Sequence, residues 1–410
     1  MHSDGNLNPN NTQVWADYPT IGISNSDLFV STNMFDSNGD FQSVGLFQMS
    51  LADGYAGSSL NSQSYIIGGN AFTVVPVNDE SDQPDDKFYL VSRGNRTSQA
   101  GRNIVFYEVN GALANGGTLQ GGVTLQARFS YSPAPPMAQN RSTVTLSPGD
   151  SRINNAFRRG SNLYFAFPTN VNSHSAIYWG SLKLAPLGIN FSRLSTTVYT
   201  SDSLEFAFPS VCWAGDSDGD EHSNFIFFNY SGADFLPGTG VIYVNTNGEF
   251  SDPLLCSESD LPAPGGNDPT QPRRWGDYTD ISYQAGGVAW GLMTTILPTT
   301  VRRPLPARFR FRRSAPLMQA RAPCCLSPWL SAPIRHLTVP CSAFEVPNTG
   351  YYKVEILDMH GKVIQLVIED RLIRGKAELA FDTQHMATGM YFVRVTGESN
   401  ELMRGKFVVE

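Results

Sequence analysis

The chain has 410 residues and a formal net charge of −8 at pH 7. Apolar residues make up 41% and charged residues 16%, enough for a core but a poor match to a charge-laced helical protein. The negative balance argues against nucleic acid as a partner and against an anionic membrane surface, and no apolar run reaches the roughly 20 residues of a membrane-spanning helix.

Residues 1–296 read as one β-rich domain built from a repeated unit. Each unit is a short strand, a polar loop, then a stronger strand ending in aromatics. The first copy is Asp17 to Ile23 with Leu28 to Thr32. After it, Asn38-Gly39 between Asp36 and Asp40 has the form of a two-residue hairpin turn, with calcium as a weaker alternative there. A looser copy joins Phe72 to Val75 with Phe88 to Val91. Three more follow: Asp150 to Phe157 with Asn162 to Phe167, Phe208 to Trp213 with Asn224 to Asn229, and Trp275 to Tyr283 with Val288 to Trp290. Starts lie roughly 55 to 80 residues apart, the spacing of four-stranded propeller blades with insertions. One unit cannot bury both of its faces alone, whereas radial stacking buries both and protects the edges.

Two local features invite chemistry. Asp216, Asp218 and Asp220 alternate in an acidic loop, a spacing at which hard oxygen ligands can wrap calcium. A hairpin turn at Asp218-Gly219 explains the same residues without a metal. Cys212 and Cys256 lie in folded-looking sequence, where two free thiols are the simpler reading than a disulfide. The histidines, His2, His174, His222, His336, His360 and His385, show no metal spacing.

Residues 297–342 differ from their surroundings. Arginine and proline recur from Pro298 to Pro340, and Gly, Asn, Asp, Glu and Lys are absent. Such an abrupt change is what translation in another reading frame produces; a Pro-rich linker is the alternative. Cys324, Cys325 and Cys341 are therefore given no chemical role.

Residues 343–410 form a second domain. Val354 and Ile356 alternate with Lys353 and Glu355, so one apolar and one wet face is expected. His360-Gly361-Lys362 supplies a turn into a second strand from Val363 to Ile368. Tyr391, Val393 and Val395 alternate with Phe392 and Arg394, and Phe407 and Val409 continue the pattern.

Asp358 to Lys362, Thr388 to Val393 and the basic-aromatic end at Lys406-Phe407-Val408 resemble the C-terminal sorting domain of the type IX (Por) secretion system of Bacteroidetes. Within that resemblance Gly361, Lys362, Gly389, Tyr391, Lys406 and Phe407 carry the motif. It implies export through the outer membrane, the secretion machinery as a partner, and release or anchoring at the cell surface. An exported chain needs a signal peptide, and Met1 to Asn10 have neither a basic start nor an apolar stretch, so the reading frame is expected to begin late.

The repeated units resemble the blades of sialidase-like and related five- or six-bladed β-propellers of secreted bacterial proteins. Arg274-Trp275-Gly276-Asp277-Tyr278 is the most distinctive piece, while the Asp-box turn of sialidases is absent. The expected fold is thus all-β: an incomplete propeller followed by a small β-sandwich. In a propeller the first strand of each blade lines a channel, which would place Asp17, Asp150 and Asp277 there with Arg152, Arg273 and Arg274. Paired carboxylates could do glycosidase work, and arginines could hold an acidic sugar. Backbone capping by these aspartates is preferred, because no Glu or His joins the set. The expected function is a non-catalytic binding protein for carbohydrate or another surface polymer, with a divergent glycoside hydrolase as the alternative. No cofactor is expected beyond calcium at the acidic loop.

Overall fold

The computed structural model describes residues 14–69, 71–81, 84–94, 99–186, 188–215, 222–265, 268, 271–284, 288–294, 304–310, 341–346, 350–358, 362–372, 375–380, 389–397 and 401–409. The chain divides into two compact units, Met1–Ala322 and Pro323–Glu410.

Antiparallel sheets follow one another along the first unit, and sequential strands are neighbours in each. Sheet I holds β1 (Val14–Ile23), β2 (Asp27–Asp36), β3 (Phe41–Ser50) and, after the short helix α1 (Leu51–Ala56), β4 (Ser62–Ile67). Sheet II is built from β5 (Val75–Pro76), β7 (Phe88–Arg93), β8 (Gly101–Asn110) and β9 (Thr118–Tyr131). Between β5 and β7, the two-residue β6 (Asn78–Asp79) leaves sheet II and pairs in parallel with a strand of sheet III. A hairpin of β10 (Met137–Gln139) and β11 (Ser142–Leu146) precedes sheet III. That sheet holds β12 (Asn155–Arg159), β13 (Asn162–Val171), β14 (His174–Lys183) and β15 (Arg193–Tyr199). Sheet IV is β16 (Glu205–Trp213), β17 (Asn224–Gly232), β18 (Phe235–Val244) and β19 (Leu254–Glu258). Sheet V is β20 (Asp280–Gln284), β21 (Val288–Thr294) and β22 (Pro304–Arg310). Of the Arg/Pro-rich stretch, residues 304–310 pair with β21 as β22, and 341–342 open a strand of the second unit. The rest of that stretch lies outside the described residues.

Each sheet of the first unit packs on the next. Phe29, Val44 and Leu46 of sheet I meet Phe88, Leu90 and Val109 of sheet II, with the Phe29 and Phe88 rings stacked at 3.8 Å. Val91 and Phe106 then meet Leu163 and Phe165 of sheet III. Tyr164, Ala166 and Ile177 face Phe206, Val211 and Ile226 of sheet IV. Cys212, Phe225 and Phe227 face Ile281 and Ala289 of sheet V. A strand covered on both faces needs a continuous apolar run rather than an alternation. β17 and β13 have that run, Phe225-Ile-Phe-Phe228 and Leu163-Tyr-Phe-Ala-Phe167, and both are buried along most of their length. β1 alternates instead, and Ile21 on its open face is 63% exposed. Cys212 and Cys256 are free thiols.

A left-handed residue lies within the first strand of sheets I and IV, Tyr18 (φ 53°) and Phe208 (φ 48°), or in the segment leading into that of sheets II, III and V, Thr73 (φ 52°), Gly149 (φ 90°) and Gly276 (φ 74°). Tyr18-Pro19-Thr20 and Phe208-Pro209-Ser210 repeat an aromatic-Pro-hydroxyl sequence, and the strand register shifts at both. A polar side chain on the second strand of one sheet fixes the start of the next sheet. Asn33 Nδ2 donates to Thr73 Oγ1 (2.9 Å) and Asn33 Oδ1 accepts from Thr73 N (2.8 Å). Arg93 donates to Ser151 Oγ (3.2 Å) and Asn229 Nδ2 to Thr279 Oγ1 (2.8 Å). A Cβ at position 276 would lie 2.0 Å from Asn229 Nδ2, so the left-handed start there requires glycine for space as well as for φ.

In the second unit β23 (Cys341–Val346) pairs with β26 (Gly375–Ala380). A four-stranded antiparallel sheet runs β25 (Val363–Leu372), β24 (Gly350–Leu357), β27 (Gly389–Gly397), β28 (Glu401–Val409). Tyr352, Val354, Ile356, Tyr391 and Val395 are buried. The expected wet face of β24 is only partly wet: Glu355 is buried, because Arg394 (2.6 Å) and Lys353 (2.9 Å) fold over its carboxylate.

Candidate ligand-binding site

Strands of sheet I and the segments leading into sheets II, III and V bring aromatic rings and one arginine into a row. Arg152 lies with its Cζ 4.7 Å from the Tyr18 ring and 5.2 Å from the Phe72 ring, so its guanidinium is held between two π faces. Tyr18 stacks in turn on Tyr278 at 5.7 Å, and its hydroxyl reaches the carbonyl of Asp277 at 3.4 Å. In the other direction Phe72 packs against Phe41 (5.1 Å), Phe41 against Phe35 (5.8 Å) and Phe35 against Trp15 (5.1 Å). The two ends are open to solvent, Trp15 at 44% and Tyr278 at 60% exposure. Phe35, Phe41, Phe72, Arg152 and Asp150 line a pocket of about 450 Å³.

Asp150 orients the arginine. Its carboxylate accepts from Arg152 Nε at 2.7 Å, from Arg152 Nη2 at 2.9 Å and from the Arg152 main-chain N–H at 2.9 Å. Burial pushes the Asp150 pKa up, but the hydrogen bonds and charge of Arg152, with Arg93 behind, outweigh it and leave the carboxyl below its usual range. Burial raises the Tyr18 hydroxyl against the opposing charge of Arg152.

A second polar cluster sits where β6 crosses to sheet III. Arg158 pairs with Asp79 at 2.6 Å, Trp213 N donates to Glu80 Oε2 at 2.6 Å, and the Arg159 guanidinium lies 3.6 Å from the centre of the Trp213 ring. Burial drives the Glu80 pKa up to about 8, against hydrogen bonds from the main chains of Trp213 and Tyr283. Asp280 is reached by solvent yet closely surrounded by protein atoms. Burial raises its pKa although Asn155, Ser210 and the Ile281 N–H all donate to Oδ1.

The residues expected to line a channel are thus divided. Asp150 and Arg152 form the forked pair in the pocket. Arg274 and Asp277 form a separate pair at 2.9 Å, with Arg274 largely in solvent. Asp17 is exposed, one residue before Tyr18. Arg273 contributes main-chain bonds, its N–H to Thr145 O and its carbonyl to Ser147 N. Asp36 accepts from the N–H groups of Asn38 and Asp40 within the hairpin turn. Asp216, Asp218 and Asp220 lie outside the described residues, and among the described residues no group of three or more His, Cys, Asp or Glu could hold a metal. Trp213 and Trp275 are core residues, whereas Trp290 is exposed. Phe35, Phe41 and Phe72 were not singled out as site residues, since nothing local to them announces Arg152.

In the second unit, Lys362 closes the turn from Asp358: the Asp358 N–H donates to the Lys362 carbonyl and the Lys362 N–H to Asp358 Oδ1, both at 2.9 Å. Gly389, Tyr391, Lys406 and Phe407 share the β27–β28 ladder, with Tyr391 opposite Phe407 and Phe392 opposite Lys406. Gly361 lies outside the described residues. Residues 337–410 match the family model of the secretion system C-terminal sorting domain. That segment is a type IX secretion sorting domain. A chain carrying it is secreted or held at the outer cell surface, and no helix among the described residues is long and apolar enough to cross a membrane. Among solved structures, the chain is similar to PorZ of Porphyromonas gingivalis, described as an essential bacterial surface component of the type IX secretion system. The identity is 12% and the TM-score 0.23, over 96% of this chain and 70% of that one, a likeness that fixes no topology. No curated protein sequence matches the chain.

Proposed function

We propose that the first unit is a β-propeller-like domain whose aromatic row binds carbohydrate or another surface polymer without turning it over, and that the sorting domain delivers it to the cell exterior. Residues 1–296 would be the propeller, 297–342 a connecting stretch, and 343–410 the sorting domain. Sheets I to V would be successive blades, with the open face of β1 the place where a closing blade packs. The observation that carries the binding reading is Arg152 held between Tyr18 and Phe72 in a row of partly exposed rings. Sugar rings present C–H faces that pack on aromatic rings, and a fixed guanidinium offers paired donors to their oxygens.

A divergent sialidase-like glycoside hydrolase needs a proton donor poised beside a second carboxylate. Asp150 is held ionised by Arg152, and the Glu80 carboxyl is engaged by main-chain N–H groups, so binding is the better reading. Isothermal titration with outer-surface polysaccharides tests it. Binding should weaken at least tenfold in Phe72→Ala and in Tyr278→Ala, and aryl glycosides should not be hydrolysed. Turnover of those glycosides, lost in Asp277→Asn, would favour the hydrolase instead.

A further inference from the structure

Arg152 can be approached only along its edge. Tyr18 and Phe72 hold its guanidinium between their rings, with Cζ 4.7 and 5.2 Å from the ring centres. The donors of a guanidinium lie in its plane, so a ligand must meet them from the side and in a fixed direction. Nε and Nη2 fork onto Asp150 at 2.7 and 2.9 Å. That fork uses part of the donor set, and the edge that carries Nη1 stays available.

Asp150 keeps capacity of the complementary kind. Oδ1 accepts from Arg152 Nε and from the Arg152 main-chain N–H, while Oδ2 accepts from Arg152 Nη2. Among the described residues no other group donates to this carboxylate, and Arg93 stands off at 4.0 Å. Each carboxylate oxygen has room for a second hydrogen bond, so Oδ2 has a place open. Neither partner is sealed off: the Arg152 and Asp150 side chains are 23% and 20% exposed, and both line the pocket of about 450 Å³. Asp40 lines it as well, so two aspartates stand against Arg93 and Arg152 and the lining has no formal net charge.

An open acceptor beside an open in-plane donor asks for a ligand that donates at one atom and accepts at the next. Two hydroxyl groups on neighbouring carbons do both. A carboxylate group only accepts, and here it would meet Asp150, which Arg152 holds ionised. Resting on the carbohydrate-binding reading of the aromatic row, we propose that this pocket selects neutral sugars with a free pair of adjacent ring hydroxyls. One hydroxyl donates to Asp150 Oδ2 and its neighbour accepts from the free edge of Arg152. A sugar whose pair is blocked leaves both protein groups covered and unmatched, and a site built for hydroxyls rejects such an analogue strongly.

Calorimetry on the full chain tests this with mannohexaose, the same hexaose methylated at its ring hydroxyls, and the corresponding hexamannuronate. A parallel cellohexaose series presents the pair in its other arrangement. In at least one series the free sugar should bind at least tenfold tighter than its methylated form and its uronate. Arg152→Lys keeps the charge but loses the fork, so it should bring the three ligands of that series to similar affinity. If that variant fails to fold, the order of affinities in the wild type decides. No binding of any hexaose would overturn the carbohydrate reading of the row and this inference with it. Binding in which the methylated sugar or the uronate equals or exceeds the free sugar in both series would overturn this inference alone. Selectivity that survives in a folded Arg152→Lys would do the same.

Discussion

Asp150 in the first unit and Glu355 in the second are both carboxylates between two cations, and both are held below their usual pKa range. Their surroundings set them apart. Asp150 answers Arg93 and Arg152 inside packed protein, where burial works against its charge and the arginines must outweigh it. Glu355 lies under Lys353 and Arg394, whose side chains are 43% and 30% exposed, and their hydrogen bonds dominate its shift. In the second unit water reaches both cations beside the carboxylate; in the first the cations are largely enclosed by protein, Arg93 at 1% and Arg152 at 23% exposure.

Asp150→Asn should show the largest effect. It strands Arg93 and Arg152 beside each other, and removing one partner of a buried pair should cost about 3–4 kcal/mol, at the low end because Asp150 keeps some solvent contact. Urea unfolding of the single variant measures this, and a loss below about 1 kcal/mol would place Asp150 with Glu355 rather than apart from it.

Glu80 sharpens the comparison from the opposite side, since its folded pKa is raised from 4.5 to about 8. The neutral carboxyl is favoured in the folded chain, so the stability it brings is fully present below about pH 4.5 and is lost as pH rises through about 8. Between those limits unfolding free energy should fall by about 2–3 kcal/mol after discounting for partial solvent contact, and Glu80→Gln should flatten the slope. Denaturant curves at pH 5, 7 and 9 would contradict this if wild type and variant ran parallel.

Glu355→Gln should show the smallest effect, less than about 1 kcal/mol, since both of its cations reach solvent and such pairs contribute little. Raising salt should shrink it further. A loss equal to that of Asp150→Asn would dissolve the contrast.

Much of the scaffold could be read from the residues. The runs at Asp17, Phe72, Asp150, Phe208 and Trp275 do lie in or just before the first strand of their sheets, because a strand buried on both faces writes a long apolar run and its turn writes Gly, Pro and Asp. Asp150 and Arg152 could be singled out because they lie two residues apart. Phe72, Phe41 and Phe35 could not, since their role depends on a loop from another sheet arriving above them. Arg93 and Glu80 were hidden for the same reason: an arginine at the end of an apolar strand, or a glutamate in a polar loop, looks like a solvated residue until its neighbours are known. Asn33 and Asn229 each lie three residues before the end of their strands, but an asparagine there reads as a break in the apolar run and not as a bond to the next sheet.

The bonds from Asn33 to Thr73 and from Asn229 to Thr279 run the same way along the chain, and each acts one residue from a ring of the aromatic row, Phe72 in its middle and Tyr278 at one end. The row thus has two separate upstream controls, one in sheet I and one in sheet IV. A substitution at Asn33 would loosen the Phe72 side and leave Tyr278 in place, and one at Asn229 would do the reverse. Variation in these two strands, outside the row itself, would retune its middle and its Tyr278 end separately.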